Sequence, residues 1–102
     1  MVPFVFSEET GRKIRPVLVL SSARYNRSRQ DVIVAAITSN VRRRLFGDYI
    51  VADWAGAGLL FPSIVTGILR TIKQTMVERR LGQITDSEME QIGRLLRRAL
   101  AL

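Results

Sequence analysis

Neither cysteine nor histidine occurs anywhere in the 102 residues. Without cysteine no disulfide framework is available, and a reducing cytoplasm is the compartment the chain suits. The two absences together remove much chemistry. A zinc site would have to be built from carboxylates alone, an uncommon ligand set. Cys–His and Ser–His–Asp nucleophile arrangements are ruled out, as is the two-histidine acid–base mechanism of some ribonucleases. Catalysis, if any, falls to arginine, lysine, carboxylates, hydroxyls and backbone amides, with no metal and no cofactor expected.

Long apolar runs are missing too. The longest, such as Val32 to Ile37, are of strand length, which predicts no membrane span. The N-terminus lacks the charged-then-apolar layout of a secretory signal. Apolar residues make up 47% and charged residues 25%, an ordinary globular balance remote from the disordered regime. The length predicts one domain over residues 1–102, with little room for a large enclosed pocket.

Negative charge is scarce: nine acidic residues face sixteen basic ones, a net charge of +7. Fourteen of the sixteen are arginine. Guanidinium is planar, permanently protonated and forks bidentately onto phosphate. A polyanion partner follows, with nucleic acid ahead of an anionic membrane.

Along the chain, Val2 to Phe6 reads as a strand fragment with Pro3 near its start. Ser7 to Lys13, polar and containing Gly11, reads as a loop. Ile14 to Leu20 and Asp31 to Thr38 are apolar, β-branched strands, with a helical turn or loop over Ser21 to Gln30 between them. Ser39 to Phe46 carries three consecutive arginines and shows no period. A short strand is predicted at Asp48 to Ala52, a small-residue turn at Ala55 to Leu60, and further strands at Ser63 to Ile72 and Thr75 to Leu81. Thr85-x-x-Glu88 is a capping box, and Met89, Ile92, Leu96 and Ala99, flanked by Leu95 and Leu100, give the following helix one apolar face. The fold class is mainly β, a small barrel over 1–84 with a C-terminal helix over 85–102.

Four stretches in order resemble the MazF/PemK toxin family. They are Arg15-Pro16-Val17-Leu18-Val19-Leu20-Ser21 with Tyr25-Asn26; Val32 to Ser39, ending in Thr38-Ser39; Asp53-Trp54 with Ala57 to Ser63; and Arg79-Arg80-Leu81-Gly82 followed by Thr85-Asp86 and the helix. The resemblance spans the chain. It implies an SH3-like barrel, a homodimer, an acidic antitoxin partner and sequence-selective cleavage of single-stranded RNA. It also implies catalytic roles for Arg15 and Thr38, and an active-site glutamate at Glu8, with Glu9 adjacent. Three departures stand out. The chain begins about where relatives finish their first strand; Thr66 occupies a position that is often arginine; and Lys73 replaces an aspartate. The last two remove or move charge near the scissile phosphate, which implies weaker activity.

RNA carries its own nucleophile, the 2′-OH, so the protein needs to stabilise the phosphorane and move two protons. Arg15 suits the first task, since it donates to two phosphate oxygens where charge develops, and cannot readily act as a base. Thr38 supplies a hydroxyl donor; Glu8 or Glu9 could take the 2′-OH proton, though exposed carboxylates are weak bases near neutrality. Ser39, Arg42, Arg43, Arg44 and Thr66 are the candidate RNA contacts, the arginines through the backbone rather than the bases. Trp54 reads either as a base-stacking ring or as a core aromatic, and Arg94, Arg97 and Arg98 as a solvated helix end or a contact for RNA or antitoxin. Two rival functions are a CcdB-type gyrase poison, whose Trp-Gly-Ile tail this chain lacks, and a non-catalytic RNA- or antitoxin-binding remnant.

Overall fold

A computed structural model describes residues 4–10 and 13–102. Its elements run β1 (Phe4–Thr10), β2 (Lys13–Val19), α1 (Ala23–Arg29), β3 (Asp31–Thr38), β4 (Tyr49–Ile50), β5 (Ile64–Lys73), a 3-10 turn at Gln74–Met76, β6 (Val77–Gln83) and α2 (Asp86–Leu100). The strands form one sheet in the order β4-β5-β3-β2-β1-β6, with antiparallel pairings throughout. Among the described residues no helix is long and apolar enough to cross a membrane.

The first departure from the sequence reading is the N-terminal hairpin. The expected loop over Ser7 to Lys13 is largely strand: β1 extends to Thr10 and pairs with β2 from Val5↔Leu18 through Thr10↔Lys13. Gly11, on which the loop was read, lies outside the described residues. The physical reason is that β1 is an inner strand, bonded to β6 on its other side, so its backbone is satisfied however polar its side chains are. The strand that the sequence reading placed near its end is therefore seven residues long and paired on both sides.

Alternation sorts the strands onto two faces. Val5, Leu18, Ala35, Ile37 and Val65 pack with Ile84, Met89, Ile92 and Leu96 beneath α2. Val17, Val19, Val32, Val34 and Ile72 form a second cluster closed by Phe6, Met76 and Val77. Fully burying each valine, leucine, isoleucine or methionine among them stabilises by ~1.5–3 kcal/mol. The apolar stripe of α2 is spent on this core, although Ala99 and Leu100 are exposed.

Only half of the expected capping box forms. Thr85 Oγ1 accepts from Glu88 N at 3.2 Å, but the Glu88 carboxylate turns toward the sheet. Its Oε1 accepts from Tyr49 Oη (2.9 Å) and Ala52 N (2.5 Å), and Oε2 from Asp53 N (3.3 Å). Val51 N still donates to Ser63 O, one step past Ile50↔Ile64, but Ala52 N and Asp53 N turn to Glu88, so the expected strand contracts to Tyr49–Ile50.

Between Ala35↔Leu69 and Ile37↔Val65, β5 takes four steps against two in β3. Thr66 and Asp48 hold this irregularity. Thr66 Oγ1 donates to Ala36 O (2.7 Å) and accepts from Ile68 N (3.2 Å). Asp48 Oδ1 accepts from Gly67 N (3.0 Å), while Oδ2 accepts from Leu45 N (2.9 Å). One close approach requires glycine on both sides. Gly58 has φ +83°, and a Cβ there would stand 2.0 Å from Leu81 O; a Cβ on Gly82 would stand 2.2 Å from Ala57 O.

Candidate active site

Strand pairing brings together residues that the sequence holds far apart. Glu8 of β1 stands opposite Arg15 of β2. The β2–β3 register runs Val19↔Val34, Leu18↔Ala35, Val17↔Ala36, so the end of β2 that carries Arg15 and the end of β3 that carries Thr38 lie toward the same side of the sheet. Glu8 and Arg15 thus face each other across β1 and β2, with Thr38 closing the neighbouring β3.

Arg15, Thr38 and Ser39 border a single open cavity of about 700 Å³. Arg15 is exposed and Thr38 half-buried. The Thr38 hydroxyl oxygen accepts from Asn40 N at 3.1 Å, which turns the chain out of β3 and leaves the hydroxyl proton to donate elsewhere. Arg79 and Glu78 of β6 border the same cavity. Arg79 arrives through β1, since Ser7 is opposite both Arg79 and Pro16. Ser7 Oγ accepts from Arg79 N at 3.1 Å. Ile14, Leu60 and Phe61 supply the cavity's apolar wall and are 67%, 82% and 62% exposed.

Glu8 is opposite Arg15 but does not border the cavity. It is fully buried, and its Oε2 accepts from Arg70 Nη2 of β5. Its Oε1 finds no partner among the described residues. Strands β1 and β5 have β3 and β2 between them, so this contact requires a strongly curled sheet. A carboxylate buried this way does not meet a substrate 2′-OH; the reading of Glu8 as proton acceptor is replaced by that of an internal counter-ion. The side chain of Glu9 lies outside what the structure describes.

Thr66 also moves inward, buried and committed to the β5 irregularity, so it offers nothing to RNA. Arg42, Arg43 and Arg44 are exposed in the turn after β3, and Arg44 faces α2 rather than the Arg15 cavity. Trp54 is half-buried against the core under α2. Sequence reasoning missed Arg79, Glu78 and the Leu60–Phe61 wall. Arg79 was visible as part of an Arg-Arg-Leu-Gly run, but its place beside Arg15 depends on the β1–β6 pairing, a long-range contact that periodicity does not report.

Residues 2–100 match the model of the PemK-like, MazF-like toxins of type II toxin-antitoxin systems. The chain belongs to this family. Endoribonuclease MazF6 of Mycobacterium tuberculosis (strain ATCC 25618 / H37Rv) is 37% identical over 93 residues, covering 88% of this chain and 81% of that protein. The solved Mycobacterium tuberculosis toxin MazF-mt6 superposes with a TM-score of 0.82 at 29% identity, over 98% of this chain and 97% of that one. An endoribonuclease in complex with its cognate antitoxin, from a mycobacterial species, shares the fold at TM-score 0.83 and 22% identity, over 100% and 95% of the two chains. The expected small-barrel fold, mainly β with a C-terminal helix, is the MazF fold. In this MazF/PemK chain Thr66 serves the backbone, and Arg79 brings a second arginine to the cavity of Arg15.

Proposed function

We propose that this chain is the toxin of a toxin–antitoxin pair and cleaves single-stranded RNA by attack of the 2′-OH on the adjacent phosphate, without a metal. The observation that carries this reading is the convergence of Arg15, Thr38 and Arg79 on one open cavity, in a protein whose family and relatives are endoribonuclease toxins. The 2′-O–P bond forms as the P–O5′ bond breaks, giving a 2′,3′-cyclic phosphate and a 5′-OH. Arg15 and Arg79 donate to the nonbridging oxygens as charge grows there, and the Thr38 hydroxyl donates to the same oxygens. The carboxylate bordering the cavity, Glu78, accepts the 2′-OH proton directly or through water, and water protonates the leaving O5′. An acidic antitoxin is the partner that a surface of net charge +7 suits.

The assembly proposed is a two-fold homodimer in the cytoplasm. The first strand is paired on both sides and most of the α2 stripe is spent on the core, so the proposed interface lies elsewhere. Among the exposed apolar side chains, Ile14, Leu60 and Phe61 gather in one patch beside the cavity. Pairing two such patches closes them from water and sets both copies of Arg15 along one RNA channel.

The direct test is cleavage of an RNA in single-stranded and in duplex form by wild type and Thr38→Val. Cutting of the single strand alone, at least tenfold slower in the variant, supports the reading. Equal rates for the two proteins, or cleavage of the duplex, would remove Thr38 or the substrate class from it.

A further inference from the structure

A second cavity, of about 340 Å³, lies between the turn after β3 and the last turns of α2. Three guanidinium groups border it, from Arg44, Arg94 and Arg98, together with Gln91. The carboxylate present, Asp48, is already committed to Leu45 N and Gly67 N. Among the described residues Arg94 has a salt bridge only to Glu90 one helical turn away, an exposed pair of little net worth. Helical spacing puts Arg94 and Arg98 on one face, and the Asp48 bonds bring Arg44 to them.

The segment linking this cavity to the cleavage cavity is short and held. Thr38 to Arg44 is six residues, a span of at most about 22 Å. Asn40 N donates to Thr38 Oγ1 and Arg42 N to Asn40 Oδ1 at 3.3 Å, and the segment's exposed side chains include Arg42 and Arg43. Cation therefore continues from the scissile position along the turn to α2. The α2 C-terminus carries the negative end of the helix dipole, so any anion there is held by the guanidinium groups themselves.

We infer that Arg44, Arg94 and Arg98 form a second phosphate-binding subsite, which holds the sugar-phosphate backbone of the RNA substrate away from the cleaved bond. This rests on the proposed ribonuclease activity, and it favours RNA over an acidic peptide because the cationic track starts at Thr38. The subsite adds affinity without sequence preference and favours long RNA over a fragment that spans only the cleaved bond.

The test is the double variant Arg94→Ala/Arg98→Ala, whose replaced side chains are exposed and whose new residue favours helix. Binding of a long single-stranded RNA and of a minimal oligonucleotide is measured against salt, with cleavage followed in parallel. The expected result is a log–log salt slope lower by roughly 1.4 for the long RNA, a raised KM on it, and unchanged kcat and unchanged behaviour on the oligonucleotide. An unchanged slope overturns the subsite. So does a loss confined to binding of an acidic antitoxin peptide, which would make the cavity a protein-docking site. Binding and cleavage are read separately, so a wild type that binds but never cuts would defeat the ribonuclease reading while the slopes still decide the subsite.

Discussion

Glu8 of β1 is wholly buried and its carboxylate is held by Arg70 of β5, across the curl of the sheet. The two partners differ in access to water, since the Arg70 side chain is 39% exposed. Removing them therefore has unequal consequences. Arg70→Leu strands a buried charge and costs about 3 kcal/mol, the low end for a broken buried pair because Arg70 is half in water. Glu8→Gln leaves a guanidinium that solvent can reach and costs about 1–2 kcal/mol. Urea denaturation of the two variants gives the order; a greater loss for Glu8→Gln would contradict this account of the pair.

Tyr49 provides a prediction in alkaline solution. Burial, then the hydrogen bond and charge of Glu88, push its phenol from the usual 10 up to about 12. The folded state thus holds its proton where the unfolded state has lost it. The associated stability is fully present below pH 10 and disappears as pH rises to about 12. The difference in denaturation midpoint between wild type and Tyr49→Phe should shrink over that window. A constant difference from pH 9 to 12 would refute the coupling to Glu88.

The homodimer is tested at its apolar patch. Phe61→Asp places charge where two copies meet, and sedimentation equilibrium at micromolar concentration should show wild-type dimer and mostly monomeric variant. RNA cleavage should fall with the dimer, since the channel has two walls. A folded monomeric wild type would contradict both the interface and the shared channel.

The parts legible in the sequence are those written in local chemistry. The β-branched runs of β2 and β3 and the cap and apolar stripe of α2 are set by neighbours within a few residues, and their bounds match closely. Arg15 and Thr38 came from a family pattern, and both border one cavity. Glu8, Thr66 and Glu88 were misread for one reason. Each polar side chain looked outward or helix-bound in the sequence, and each has partners 35 or more residues away, or 30 for Thr66. Local signals do not carry the curl of a sheet, and that curl decides whether a carboxylate is a solvated base or an internal counter-ion.

The central claim is metal-free RNA cleavage supported by Arg15, and product analysis in EDTA tests it most directly. Wild type, incubated with single-stranded RNA in excess EDTA, should cut and leave a 2′,3′-cyclic phosphate. Arg15→Ala should be as stable, because the side chain is exposed, and slower by at least ~10²-fold. Cleavage that stops on chelation and returns with magnesium, or an Arg15→Ala variant that cuts at the wild-type rate, would contradict the account.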